Sequence, residues 1–283
     1  MNVTPADPTL RDLVLPVVSE LTARVPRASG HLMLVGALCR DVLHREAGHT
    51  FQLRRTGDLD LALAVDDWGR YEEVVEALPP VRGSAQVRYE LAGTKVDLIP
   101  FGGVEQPAGA VPLRTDAAPL DVLGLGDVWE AAREVVLRDD LTVRLPTAAG
   151  YAALKLASWS TRSRDGEYKD AGDLACAAFW YAHSPTVSDR LYDEERGRMI
   201  LTDSWIEEGR VASTVLLADD AMAVLTPPRR AELLTRWGAV EDDLLATYMD
   251  NPLLPRWPRR GNPDLGAHAR SLRVGMALGP TAG

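Results

Sequence analysis

Three aspartates are spaced so that a folded sheet could bring them to one place. Asp58-Leu59-Asp60 opens the run DLDLALAV. In a strand, residues i and i+2 point to the same side, so the two carboxylates converge within reach of one or two hard cations. Magnesium held by one or two carboxylates keeps open positions for phosphate oxygens. Leu59, Leu61 and Leu63 on the opposite side imply a packed strand, which gives the aspartates a defined geometry. Asp97 stands in the apolar run Lys95-Val96-Asp97-Leu98-Ile99-Pro100 and faces away from Val96 and Leu98. It follows Asp60 by 37 residues, room for one helix and one strand to return it beside Asp58 and Asp60. Upstream, Gly36-Ala37-Leu38-Cys39-Arg40-Asp41 lies at a strand-to-helix junction. A turn of small residues there lets backbone amides approach a phosphate, and the helix N-terminus adds a field favourable to an anion.

Taken singly, each feature has an ordinary counterpart: a tight turn, a solvated strand end, a solvent-facing aspartate. Together and in this order they are the parts that two-metal phosphoryl transfer needs. Two carboxylates would hold the metal pair. The third would complete one metal site and attract the proton of an attacking hydroxyl. A cation also makes the cluster electrostatically reasonable, because three crowded carboxylates would otherwise raise a pKa.

The elements that must position these residues can be read from pattern. Residues 8–26 form an amphipathic helix with a kink or break at Pro16. His31 to Val35 is a short buried strand, followed by a helix from Ala37 to Glu46. Residues 58–65 are a strand, and Asp67 caps a helix that Pro79-Pro80 stop. Gln86–Leu91 and Thr94–Ile99 form a hairpin across Ala92-Gly93. A second hairpin joins Val135–Arg138 to Leu141–Leu145 through Asp139-Asp140. After Pro146 the pattern turns helical, with helices from Thr147 through Ser160 and near 167–183, 187–196, 205–222, 227–237 and 240–249. The fold class expected is α+β: a mixed sheet flanked by helices over residues 1–146, then a helical domain over 147–283. Its Pro-, Gly- and Arg-rich tail from about residue 252 is expected to order poorly.

Composition narrows the function classes. With 283 residues, 46% of them hydrophobic, the chain can build two cores. The net charge of −10 argues against a large nucleic-acid footprint, while leaving room for a local basic patch. No apolar run reaches membrane-spanning length and the first residues lack a signal-peptide pattern, so no membrane association is expected. Cys39 and Cys176 stand far apart outside any motif, which points to a reducing cytoplasm. The basic side chains are 28 arginines and 3 lysines, Lys95, Lys155 and Lys169, each near a carboxylate or motif of interest. His31, His44, His49, His183 and His268 have no ligand spacing and are read as structural or surface residues, and the tryptophans as core. Trp159, one turn from Lys155, is the exception that could stack on a base.

The order Gly-small-x-x-Arg-Asp, Asp-x-Asp, strand Asp resembles the polymerase β nucleotidyltransferase superfamily. GALCRD resembles the GGxxRD of tRNA CCA-adding enzymes, with Ala37 in place of the second glycine. RRTGDLDLALAVDDW, VDLIPFG and ALKLASWSTRSRDGEYKDAGDL are similar to the motifs of AbiEii-type toxin nucleotidyltransferases. The likeness spans roughly residues 31–175, and beyond residue 180 no motif matches. It implies a polymerase β-like head in which Asp58, Asp60 and Asp97 bind two magnesium ions, or manganese. Gly36 and Ala37 would cradle triphosphate with Arg40 of the same motif, and Arg55 or Arg54 would neutralise phosphate charge. Lys155 would contact the nucleotide, Lys169 and Asp170 would lie beside it, and the second-domain catalytic aspartate maps to Asp173 or else to Asp170. The activity implied is transfer of NMP from an NTP to a hydroxyl of RNA or protein. The acceptor implied is the tRNA 3′ end, with a toxin role and a cognate antitoxin as partner. Two alternatives stay open: a nucleotidyltransferase of aminoglycoside-like antibiotics, and a catalytically silent nucleotide-binding module.

Overall fold

The computed structural model of the chain describes residues 7–8, 10–54, 57–81, 86–113, 118–138, 140–202 and 209–279. They fall into two units. The first holds the described residues up to Arg45 together with Leu53–Thr147, and the second holds Glu46–Gln52 together with the residues from Ala148 onward. The division falls near residue 147, and residues 46–52, which the expected domain over 1–146 includes, group with the second unit. No helix among the described residues is long and apolar enough to cross a membrane.

The first unit begins with a π-helical turn, Leu10–Val14, that runs into α1, Leu15–Arg24. Pro16 sits in the first turn of α1, where its missing N–H is one of the groups left unbonded anyway. The expected break at Pro16 is thus a change of helix type. Strand β1 (Leu32–Leu34) is followed at once by α2 (Gly36–Glu46), β2 (Asp58–Val65) and α3 (Trp68–Glu76). Asp67 caps α3 by accepting a hydrogen bond from the Arg70 amide at 2.8 Å. Then come β3 (Arg88–Leu91), β4 (Thr94–Gly102) and a small hairpin of β5 (Ala110–Val111) and β6 (Leu120–Asp121). The unit closes with α4 (Leu125–Ala131), β7 (Arg133–Arg138) and β8 (Leu141–Leu145). Asp139 of the expected second turn lies outside the described residues.

Six strands make one mixed sheet in the order β3-β4-β2-β1-β8-β7. Strand β2 pairs parallel with β4 and antiparallel with β1, and β1 pairs parallel with β8. The β3–β4 hairpin turns through Ala92 and Gly93, both at positive φ, as a tight hairpin turn requires. On β2, Leu59, Leu61, Leu63 and Val65 are buried on one side, which forces Asp58 and Asp60 to the other.

The second unit contains eight α-helices among the described residues: α5 (Ala148–Arg162), α6 (Lys169–Ala182), α7 (Pro185–Asp193), α8 (Glu195–Leu201), α9 (Gly209–Val224), α10 (Pro227–Trp237), α11 (Asp242–Tyr248) and α12 (Pro263–Ala277). The single helix expected near 187–196 is two, separated at Glu194, whose backbone is extended. Helix α9 is apolar around most of its circumference and is buried over Val211–Ala218, as a helix surrounded by others must be.

The expected poorly ordered tail is corrected by α12. Its Leu265, Ala269, Leu272 and Met276 recur at helical spacing and are buried against the rest of the unit. Gly275 permits the close crossing with α9, because a Cβ there would stand 2.2 Å from the Val215 carbonyl oxygen. His268 of α12 shares a 2.8 Å hydrogen bond with the Thr214 hydroxyl and stacks on Trp257 at 4.5 Å between ring centroids. Burial, and secondarily the Arg210 charge, pull the His268 pKa down from 6.5 to about 4.

This makes stability depend on pH. The unfolded chain protonates this histidine near pH 6.5, whereas the folded chain resists until about 4. The stability involved is therefore whole above pH 6.5 and declines as pH falls through that window, by on the order of 3 kcal/mol. Chemical denaturation at pH 7.5, 6 and 5 should show this slope, and His268→Gln should flatten it.

Candidate functional site

The parallel register of β2 and β4 sets Asp60 directly beside Asp97, and Asp58 beside Lys95. Asp58, Asp60 and Asp97 thus share one face of the sheet, as the strand parity predicts. Gly36, at φ +66, closes β1 and opens α2, and the Val35 amide donates to the Asp60 carbonyl at 3.1 Å. A Cβ on Gly36 would lie 1.8 Å from Asp60 Oδ2. The space that a side chain would fill at the turn is therefore taken by the Asp60 carboxylate. That position beside a helix N-terminus favours negative charge. Ala37 continues α2 from there.

Sequence reasoning missed the residue that balances this face. Arg88 on β3 donates from Nε and Nη2 to the two oxygens of Asp97, at 2.7 Å each, and its Nη2 stands 3.0 Å from Asp58 Oδ2. The hydrogen bonding to Asp97, opposed by partial desolvation and reinforced by the charges of Asp97, Asp58 and Asp60, raises the Arg88 pKa further above its ordinary value. The signal was present in the hairpin. With Ala92-Gly93 as the turn, Leu91 pairs with Thr94, and counting outward brings Arg88 opposite Asp97. Val87, Tyr89 and Leu91 are buried, so Arg88 shares the aspartates' face.

Three carboxylates offer the oxygen-only donors that suit a hard cation. Their chemistry fits the ion, but as they stand Asp58 and Asp97 close on the Arg88 guanidinium. Among the described residues no group of three His, Cys, Asp or Glu side chains is gathered to hold a metal ion.

Arg40 was expected to face the nucleotide and is placed otherwise. It is 3% exposed and donates to Asp41 at 2.9 and 2.7 Å and to the Arg54 carbonyl at 2.6 Å. It ties α2 to the segment leading into β2 and so fixes the turn. Arg55 lies outside the described residues.

The second unit carries a charged group of its own. Lys155 on α5 reaches Asp170 Oδ1 at 2.9 Å and Asp173 Oδ2 at 2.6 Å, both on one face of α6. Its ammonium also lies 5.5 Å from the centre of the Tyr151 ring. Burial works against the lysine's charge, but Asp173 and then Asp170 outweigh it and the pKa is raised, so the lysine stays charged. Asp170 is fully buried, and Arg162 stands 3.5 Å from its other oxygen. Lys169, one residue from Asp170, points elsewhere. It is half exposed and 4.0 Å from Glu167, so it does not join this group. Trp159 cannot stack on a base, because it is fully buried beside Tyr168.

No protein-family model and no curated protein matches the chain.

Two substitutions probe these groups. Gly36→Ala puts a Cβ into the Asp60 carboxylate at a backbone angle that disfavours it, and should cost roughly 2–4 kcal/mol in urea unfolding. The double variant Gly36→Ala/Asp60→Gly should recover part of that loss. Lys155→Met leaves two buried carboxylates without their main counter-charge and should destabilise by about 3–5 kcal/mol. A loss under about 1 kcal/mol would mean that the carboxylates are solvated there.

Proposed function

We propose that this chain is a metal-dependent nucleotidyltransferase that moves NMP from an NTP to an acceptor hydroxyl and releases pyrophosphate. The sheet of the first unit is read as a polymerase β-like catalytic head. The observation that carries the reading is the adjacency of Asp60 and Asp97 on parallel strands, with Asp58 on the same face and Asp60 against the Gly36 turn. The sequence resemblance to AbiEii-type toxins, carried in part by the same aspartates, points the same way.

Asp58 and Asp60 are the residues that would hold the cation, with Asp97 completing the set. Magnesium, or manganese, when bound would offset the triphosphate charge and make an acceptor hydroxyl more acidic. The chain's own residues do the rest. The α2 N-terminus at Gly36 and Ala37 favours an anionic phosphate. Asp97 attracts the hydroxyl proton. Arg88 holds the carboxylate face together, and its guanidinium is of the kind that would partner a phosphate there. Lys155 and Asp173, with Asp170, keep the roles that the resemblance implies, contact with the nucleotide and a second-domain carboxylate. The acceptor proposed is the tRNA 3′ hydroxyl, the cellular role that of a toxin, and the partner an antitoxin protein. The net charge of −10 favours a second acceptor class, a cationic aminoglycoside-like molecule.

The test uses the purified full chain with α-labelled NTPs, magnesium, and total tRNA or an aminoglycoside. Label should enter tRNA, and Asp60→Asn should reduce transfer by more than about 100-fold, beyond what changes outside the metal's own ligands cost. Label in the aminoglycoside alone would move the acceptor and keep the reaction. If no acceptor is labelled while nucleotide still binds, the chain is a silent binding module and the reaction assigned here is wrong.

A further inference from the structure

The second unit contains a cleft of about 450 Å³ whose rim carries Arg210, Arg256, Arg259 and Arg260 and whose floor includes Trp257 and His268. We propose that this cleft binds a phosphate-bearing ligand, at a site separate from the carboxylate face of the first unit.

The case begins with how arginines are used elsewhere in the same unit. Arg190 grips Asp220 with two nitrogens at 2.7 and 2.8 Å, and Arg273 holds Asp242 and two backbone carbonyls. Arg196 likewise lies on Asp219. The chain has ten more acidic than basic side chains, so partners for arginine are plentiful. Other arginines of the unit, Arg164, Arg198 and Arg230, bond only backbone carbonyls among the described residues, and what sets the cleft apart is that several arginines gather around one concavity. Only Arg259 approaches a carboxylate, Asp250 at 3.7 Å. Among the described residues Arg210, Arg256 and Arg260 make no ion pair, although Asp264 also lines the cleft. Three unpaired guanidinium groups held around one concavity in an acidic protein form a local positive field opposed to the protein's overall charge.

The floor sharpens that field. Trp257 and His268 are buried and stacked, presenting a low-dielectric surface beneath the charged rim. Arg210 lines the same cleft as His268. Helix α12, fifteen residues long, begins at the cleft, with Asn262 and Asp264 in its lining, so its N-terminal dipole adds to the same sign. Arg260 also borders a neighbouring cleft of about 390 Å³, lined by Arg270 and by Asp243. Guanidinium forks match the paired oxygens of phosphate, and several forks around a nucleotide-sized volume suit a ligand with more than one phosphate. The phosphates could belong to an RNA backbone or to a free di- or triphosphate.

The test measures binding to the full chain at low salt without divalent cations, using two probes: inorganic pyrophosphate by calorimetry and a labelled eight-nucleotide single-stranded RNA by anisotropy. At least one probe should bind. Arg210→Glu/Arg260→Glu should weaken it by at least about tenfold, and Arg210→Lys/Arg260→Lys, which keeps the charge, by much less. Loss confined to RNA, with a flatter salt dependence in the charge-reversed variant, assigns a phosphodiester backbone. Loss confined to pyrophosphate assigns a free phosphate ligand. Should the reversed variant fail to melt cooperatively, Arg260→Gln, a change at an exposed rim position, gives the same comparison with a smaller loss. Asp60→Asn must leave this binding intact, which separates the cleft from the nucleotidyltransferase reading. Absence of binding to both probes, equal affinity in wild type and charge-reversed variant, or loss in Asp60→Asn overturns the proposal.

Discussion

Carboxylates in adjacent register on parallel strands repel one another, and the first unit is organised around answering that repulsion. Asp60 and Asp97 are neighbours because β2 and β4 run parallel in a register that their buried leucine and valine faces enforce. A slip by one residue would bury the aspartates and expose the apolar set. The charge must therefore be met where it stands. Arg88 meets it from the next strand, and the Gly36 turn meets it from the helix side by yielding the space of a side chain to Asp60. The rest of the motif serves this arrangement: Arg40, buried on Asp41 and the Arg54 carbonyl, secures the helix whose N-terminus faces Asp60.

The second unit answers a similar problem in reverse. There a lysine is enclosed first, and two aspartates on one helix face keep it charged. Removal from water is costly for all three groups, so the trio holds only while complete. The face around Arg88 is more open, and its members can exchange partners with water or with an incoming ion at less cost. The two clusters thus differ in kind. One is a closed charge network, the other a charged surface whose counter-ion is a side chain.

Much of the fold was legible where local rules and burial agree. Alternation in DLDLALAV fixed which side the aspartates take, and Ala92-Gly93 marked the hairpin whose register aligns Arg88 with Asp97. Arg88 belongs to no motif, and its place follows only from the hairpin register and from the cation that a cluster of carboxylates requires. Arg40 was misplaced for a different reason. An arginine next to an aspartate in a glycine-led motif reads as a surface ligand, and only the tertiary position of the Arg54 carbonyl shows it turned inward. Helix α12 was hidden by composition, since proline, glycine and arginine precede it, although Leu265, Ala269, Leu272 and Met276 keep helical spacing. Helix α4 is seven residues long and begins beside Gly124 and Gly126, too short and too glycine-rich to show a period.

The excursion of Glu46–Gln52 has a consequence for how this chain emerges from synthesis. His49 and Phe51 pack against Phe179, at 4.9 and 5.8 Å between ring centroids, so they await a partner made about 130 residues later. Residues 46–52 interrupt the sequence of the first unit and find their packing partners only in helices made later. A ribosome pausing near residue 147 would hold a chain with two aromatic rings exposed in mid-sequence. Such late-satisfied contacts slow folding and present sticky surface meanwhile.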